Sequence, residues 1–230
     1  MHSRIAVLAS GGGSNLQAVL DYFDVLGDRR AGEVVLVASN RDDAGALARA
    51  TRREIATAVL ASGAPAELDE VLTANAIDLV VLAGYVRLVP TEIVAKYEGR
   101  IVNIHPALLP AFGGPGMYGQ RVHRAVIESG ARVSGATVHF VNESYDRGRI
   151  IAQWPVPVFA SDDPGTLAAR VLRVEHLLYP RVVQGVAGGR FTLQNCVAAG
   201  MEFVDSRPAF TLLSHEDSRL AENIELALGC

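Results

Sequence analysis

The sequence predicts an α/β fold: a mostly parallel sheet with helices on both faces and antiparallel strands added late in the chain. Three observations carry this. Apolar runs rich in Val, Ile and Leu alternate with amphipathic segments from Arg4 to Pro106, as expected for strands buried on both faces between crossover helices. Glycine and proline punctuate the junctions. Beyond Pro106 the rhythm changes, and two strand-like segments follow one another without a helix between them.

The elements follow in order. "RIAVLAS" is an apolar first strand, and Leu16, Val19 and Leu20 then recur at helical spacing, giving a helix from about Ser14 to Val25. "EVVLVASN" is a second strand, "AGALARATRRE" an amphipathic helix and "TAVLA" a short third strand. "PAELDEVLTANA" places proline in a helix's first turn. "DLVVLAG" is a fourth strand, "PTEIVAKYEG" a helix ended by Gly99, and "RIVNIHP" a fifth strand. "ALLPAFGGPGMYGQ" is a loop with four glycines and two prolines, and "RVHRAVIESG" a helix. "GATVHFVN" and "IIAQWPVPV" are the antiparallel additions. A long helix through "DDPGTLAARVLRVEHLLYPRVVQGVAGG", bent near Pro180, leads to a last strand, "RFTLQ". Residues 1–195 form the patterned domain; from Cys196 to Cys230 the pattern is weak, and only a docked or mobile tail is expected.

At 230 residues and 50% hydrophobic composition the chain supports one large core and excludes a disordered protein. A net charge of -4 without any basic block argues against nucleic acid or an acidic membrane as partner. Cys196 and Cys230 fit no zinc spacing and offer at most one bridge, so a reducing cytoplasm is expected. No run reaches membrane-spanning length. Nothing in the composition separates a monomer from a homodimer.

Ligands of open α/β sheets bind beyond the carboxyl ends of the strands, which brings Ser10 to Asn15, Gly84 to Leu88 and Asn103 to Pro106 together. "SGGGSN" lies in a strand-to-helix turn. Glycines let a ligand approach the backbone, and the helix start offers unpaired N–H groups to an anion. The loop has no Walker lysine, and Leu16 stands where a dinucleotide fingerprint needs a small residue. It reads as a phosphate cradle or as a tight turn. In "NIHP", Asn103 and His105 point to one face of their strand, and Pro106 ends it. An amide donor beside an imidazole suits a carbonyl becoming an oxyanion. Asp146 in "ESYDRG" joins as a third member only if it reaches that imidazole. His139 alternates with Val138 and Phe140. It either shares the site's side of its strand or is a satisfied structural histidine, and the second is the preferred reading. No spacing of His and Cys suggests a metal.

"SGGGSNLQA", "VLAGYVRL", "NIHPALLPAF", "GATVHFV", "D-R-G-x-I-I-x-Q" and "RVLRVEHLLYP" occur in that order between Arg4 and Leu193. In this the chain resembles the phosphoribosylglycinamide formyltransferases, a branch of the wider formyltransferase family. The resemblance implies the Rossmann-like formyltransferase fold and formyl transfer from 10-formyltetrahydrofolate, a cosubstrate rather than a tightly bound cofactor, to the amino group of phosphoribosylglycinamide. It implies that Asn103, His105 and Asp146 are catalytic, with a protonated His105 whose pKa the Asp146 carboxylate raises. Gly13, Ser14 and Asn15 would hold the substrate phosphate and Glu175 the ribose hydroxyls. The backbone of Val86, Arg87, Leu88 and Val89, together with Asn103, would grip the folate.

Two departures stand out. "LASGAPAELDE" lacks the basic residue that the family often carries near the folate's acidic tail, and the loop from Phe112 to Arg121 is long and glycine-rich. From Phe112 to Gln120 that loop is either a mobile lid over the joined sites or a surface insertion. A formyltetrahydrofolate hydrolase, or a nonenzymatic nucleotide- or folate-binding protein, would use the same scaffold.

Overall fold

The computed structural model describes residues 2–195 and 217–228. Its strands are β1 (Ser3–Leu8), β2 (Gly32–Ser39), β3 (Ala56–Val59), β4 (Leu79–Leu82), β5 (Ile101–His105), β6 (Val133–Phe140) and β7 (Ile150–Pro157). They form one sheet in the order β3-β2-β1-β4-β5-β6-β7. The pairs among β1 to β5 are parallel, while β6 runs antiparallel to both β5 and β7. The expected Rossmann-like arrangement with antiparallel additions is therefore present.

The helices are α1 (Ser14–Leu26), α2 (Gly45–Arg52), α3 (Pro65–Ala74), α4 (Thr91–Lys96), α5 (Gln120–Glu128), α6 (Pro164–Ala187) and α7 (Asp217–Leu228). Strand residues divide between two cores by the twofold alternation of the pleat. Ile5 and Val7 pack beneath α1 and α6 with Leu16, Val19 and Val182, whereas Ala6 and Leu8 face α3 and α4 with Leu68, Leu72 and Ile93. This two-sided burial is why the strands read as continuous apolar runs. Each fully buried Leu, Ile or Val contributes roughly 1.5–3 kcal/mol.

Helix α6 begins with a capping box in which Asp163 accepts from the Thr166 N–H at 2.8 Å. It runs without interruption through Pro180. The buried Tyr179 hydroxyl faces two backbone acceptors, Leu82 O at 2.8 Å and Val102 O at 3.1 Å, which ties the helix to the ends of β4 and β5.

The expected last strand, "RFTLQ", does not form; residues 190–195 are bends and turns. Phe191 turns inward against Gly185, and the Thr192 N–H and hydroxyl both donate to Asn195 Oδ1, at 2.8 and 2.9 Å. These local bonds compete with strand geometry. Within the tail, α7 packs on α6: Ile224 and Leu228 are buried, and Arg181 Nη2 lies 2.7 Å from Glu225 Oε1. The expectations placed on 196–216 and on a bridge between Cys196 and Cys230 lie outside the described residues. Among the described residues no helix is long and apolar enough to cross a membrane.

Candidate active site

The carboxyl ends of β1, β4 and β5 open into a cavity of about 700 Å³. Its walls include Asn15, Val86 to Val89, Asn103, His105, Asp146 and Glu175, so most of the expected site residues converge there.

The register of β5 against β6 builds the centre. Asn103 pairs directly with His139, and His105 with Thr137. Asn103 Nδ2 donates to His139 Nε2 at 3.1 Å, because His139 Nδ1–H is committed to Phe140 O at 2.8 Å. His139 therefore belongs to the cavity wall and orients the Asn103 amide, contrary to the preferred reading of a structural histidine apart from the site. The cross-strand pairing that reveals this is fixed only once β6 is known to run antiparallel.

His105 Nε2 lies 2.9 Å from Phe112 O, an acceptor, so this nitrogen carries the hydrogen. Nδ1 faces Asp146 Oδ2 at 3.6 Å. Burial pushes the His105 imidazole below its ordinary pKa, and Asp146 and the Phe112 carbonyl pull it back only in part. The expectation of a pKa raised by the carboxylate is thus corrected. The ring is almost completely enclosed, and desolvation of the charged form outweighs one carboxylate at that distance. Asp146 shows the opposite balance. Burial acts to raise its pKa, but His139, His105 and the Gly114 N–H together hold the carboxyl below the usual range. Asp146 Oδ2 accepts from Gly114 N at 2.9 Å, while Oδ1 lies 3.7 Å from His139 Nε2, beyond hydrogen-bond distance. A left-handed backbone at Asp146 (φ 54°) aims the carboxylate inward, at a cost of about 1–2 kcal/mol. Two residues on, a Cβ at Gly148 would lie 1.7 Å from Phe140 O, so only glycine lets this turn close against β6.

At the cavity's other end Asn15 Nδ2 donates to Glu175 Oε2 at 2.7 Å in a buried pair. Burial raises the Glu175 pKa, and the Asn15 bond opposes it. Asn15 Oδ1 is buried without a partner. Glu175 is only 7% exposed, so it does not stand on a solvated helix face. Ser14 and Gly13 do not line this cavity. Ser14 borders a neighbouring depression shared with Arg49 and His176. Gly13 has φ 74°, and a Cβ there would meet Ala46 Cα at 2.8 Å, so its glycine serves the close approach of α2.

On the far wall Val86 and Leu88 are both 42% exposed, an apolar rim, whereas Val89 is buried. Arg87 Nη1 donates to Leu60 O at 3.1 Å and lies beside Gly63. A guanidinium from the β4 loop thereby stands where "LASGAPAELDE" supplies no base. Among the described residues no group of three or more His, Cys, Asp or Glu could hold a metal ion.

The formyl transferase family model matches residues 3–183. This chain belongs to the formyl transferase family. It is 47% identical over 196 residues to the chloroplastic phosphoribosylglycinamide formyltransferase of Arabidopsis thaliana, with 81% of this chain and 66% of that protein covered. With the phosphoribosylglycinamide formyltransferase of Escherichia coli it shares 40% identity over 201 residues, covering 84% of this chain and 92% of the relative. The chain thus spans about two thirds of the plant relative and nearly all of the bacterial one. A solved glycinamide ribonucleotide transformylase 1 from Symbiobacterium toebii superposes with a TM-score of 0.77 at 40% identity, covering 85% of this chain and 92% of that one.

Three further residues of this formyl transferase escaped the sequence reading. Thr137 Oγ1 donates to Ala107 O at 2.6 Å and accepts from Leu109 N at 3.0 Å; Gln153 Nε2 donates to Leu109 O at 2.8 Å. They pin the chain just after His105. His123, on α5, is buried against the cavity with Nδ1 unpartnered; burial first, and then His105, lower its pKa to about 4. A histidine at an apolar helix position, beside Val122 and three residues before Val126, was the available signal.

Proposed function

We propose that this formyl transferase moves the formyl group of 10-formyltetrahydrofolate to the amino group of 5-phosphoribosylglycinamide. The observation that supports this best is the joining, in one cavity, of the Asn103–His105–Asp146 group to the buried Asn15–Glu175 pair. The first group suits chemistry at a formyl carbon. The second offers a carboxylate and an unpaired amide oxygen to hydroxyl and N–H donors, which a hydrolase using water has no need of. The phosphate would sit at the start of α1, on the backbone of Gly13 and Ser14 and near Asn15. The folate would lie along Val86, Arg87, Leu88 and Val89 and reach Asn103. The donor is a cosubstrate, consumed at each turnover.

The chemistry follows from protonation states. The neutral amine attacks the formyl carbon, and the carbonyl electron pair moves to oxygen. Asn103 gives one amide hydrogen to His139 and has a second for this oxyanion. His105 rests neutral with Nδ1 basic, so it takes the proton that the attacking nitrogen must lose, directly or through a water held by Asp146. The imidazolium so formed is stabilised by Asp146 and returns the proton to the departing folate nitrogen as the carbon–nitrogen bond breaks. Incubation with 10-formyltetrahydrofolate, with and without phosphoribosylglycinamide, tests the reading: folate product is expected only with the amine. Equal product in both incubations would make the protein a hydrolase.

A further inference from the structure

Helix α2 meets the glycine loop at backbone contact distance, and the meeting dictates which way the loop's peptides face. The Ala46 N–H donates to Gly11 O at 3.1 Å, and Arg49 Nε donates to Gly12 O at 2.7 Å. A Cβ on Gly45 would lie 3.2 Å from Gly12 Cα, and one on Gly13 would lie 2.8 Å from Ala46 Cα. At Gly45 and Gly12 backbone meets backbone. In a trans peptide the C=O and the following N–H point in opposite directions. Turning the Gly11 and Gly12 carbonyls toward α2 therefore turns the N–H groups of Gly12 and Gly13 away from it. Arg49 also holds α1, through Nη1 to Gln17 Oε1 at 3.0 Å. One planar fork thus spans the loop and the first turn of the helix that follows it.

We propose that Arg49 is the positioning residue of the phosphate loop. It holds the Gly12 carbonyl outward so that the Gly13 N–H joins the anion site at the start of α1, and its fixed positive charge favours a dianion there. This rests on the reading that the loop takes the substrate's phosphate. Lysine in its place keeps the charge but not the fork.

The test titrates the full chain and its Arg49→Ala, Arg49→Gln and Arg49→Lys variants with ribose 5-phosphate by calorimetry, with a folate analogue as control. Arg49→Ala is expected to bind ribose 5-phosphate at least tenfold more weakly, as for loss of charge-assisted bonds. Its folate-analogue affinity stays unchanged, and Arg49→Lys recovers only part of the loss. In turnover, KM for phosphoribosylglycinamide rises with kcat nearly constant, and the 5′-hydroxyl analogue of that substrate is unaffected. Arg49→Gln, which keeps a donor without the charge, carries the comparison if the alanine variant does not fold. Unchanged phosphate affinity, or a parallel loss of folate-analogue affinity, overturns the proposal; so does a wild-type chain that binds no ribose 5-phosphate. A chain that binds ribose 5-phosphate through Arg49 yet transfers no formyl group would sink only the proposed reaction.

Discussion

Replacing Asp146 by asparagine removes one negative charge and little else. Asparagine is of nearly the same shape and keeps an oxygen for the Gly114 N–H, so the anchor of the loop survives. What is lost is the attraction across 3.6 Å to a His105 that becomes charged during reaction. At an effective dielectric of about 20, suited to a largely enclosed pair, that attraction is about 4–5 kcal/mol. The neutral resting imidazole gains almost none of it, so nearly all of it falls on the intermediate and the transition states beside it. A loss of that size lowers kcat by about a thousandfold. Steady-state rates of folate release at saturating amine and donor would measure it, with circular dichroism confirming the fold. Calorimetric affinity for phosphoribosylglycinamide should stay within about twofold, because the Asn15–Glu175 end is untouched. A folded Asp146→Asn enzyme with kcat within tenfold of wild type would show that no charged His105 needs this carboxylate.

Three other expectations follow from the same geometry. Glu175→Ala should weaken phosphoribosylglycinamide by about one to two orders of magnitude, the value of charge-assisted bonds, while a folate analogue binds as before; unchanged ribonucleotide affinity in calorimetry would return Glu175 to a purely structural role. His123, with its pKa lowered to about 4, stays neutral in the fold while the unfolded chain protonates near 6.5. The unfolded state then binds more protons between about pH 4 and 6.5, so stability rises with pH across that window. His105 and His176 act in the same sense and Glu175 in the opposite one, so the urea-unfolding difference between wild type and His123→Leu isolates His123; a difference that does not change with pH would refute the assignment. Last, amides between Phe112 and Gln120 should exchange more slowly when the substrate and a folate analogue are both bound, as for a lid that excludes water; equal exchange in both states would leave the loop a surface insertion.

Most of the fold was legible because two-sided burial writes itself as unbroken Val, Ile and Leu runs, and β1, β2, β4 and β5 all read that way. "RFTLQ" misled because its alternation is equally served by one inward Phe191 and a turn closed by Asn195. The site divides along a similar line. Asn103 and His105 were visible as a pair because a single strand sets their common face. His139 was not, since its partner is chosen by the pairing of β5 with β6, which local pattern does not encode. Glu175 was recognisable only through the family resemblance, although a signal was there. It stands on α6 four residues after Val171 and three before Leu178, on the apolar stripe, and a carboxylate in such a place calls for a partner.

Glu175 and Tyr179 are one helical turn apart on α6. The first reaches Asn15 at the mouth of β1, and the second grips the carbonyls of Leu82 and Val102 at the ends of β4 and β5. The strand ends that carry the proposed folate wall and Asn103 are therefore gauged against the proposed ribose acceptor by a rigid rod whose graduations are about 1.5 Å per residue. A slip of this rod would spare every contact inside each half-site and still spoil the alignment of amine with formyl carbon, where a displacement of about 1 Å can cost two orders of magnitude in rate. On the proposed reading, the spacing between the two reactants rests on Glu175 and on a tyrosine hydroxyl buried behind the cavity wall.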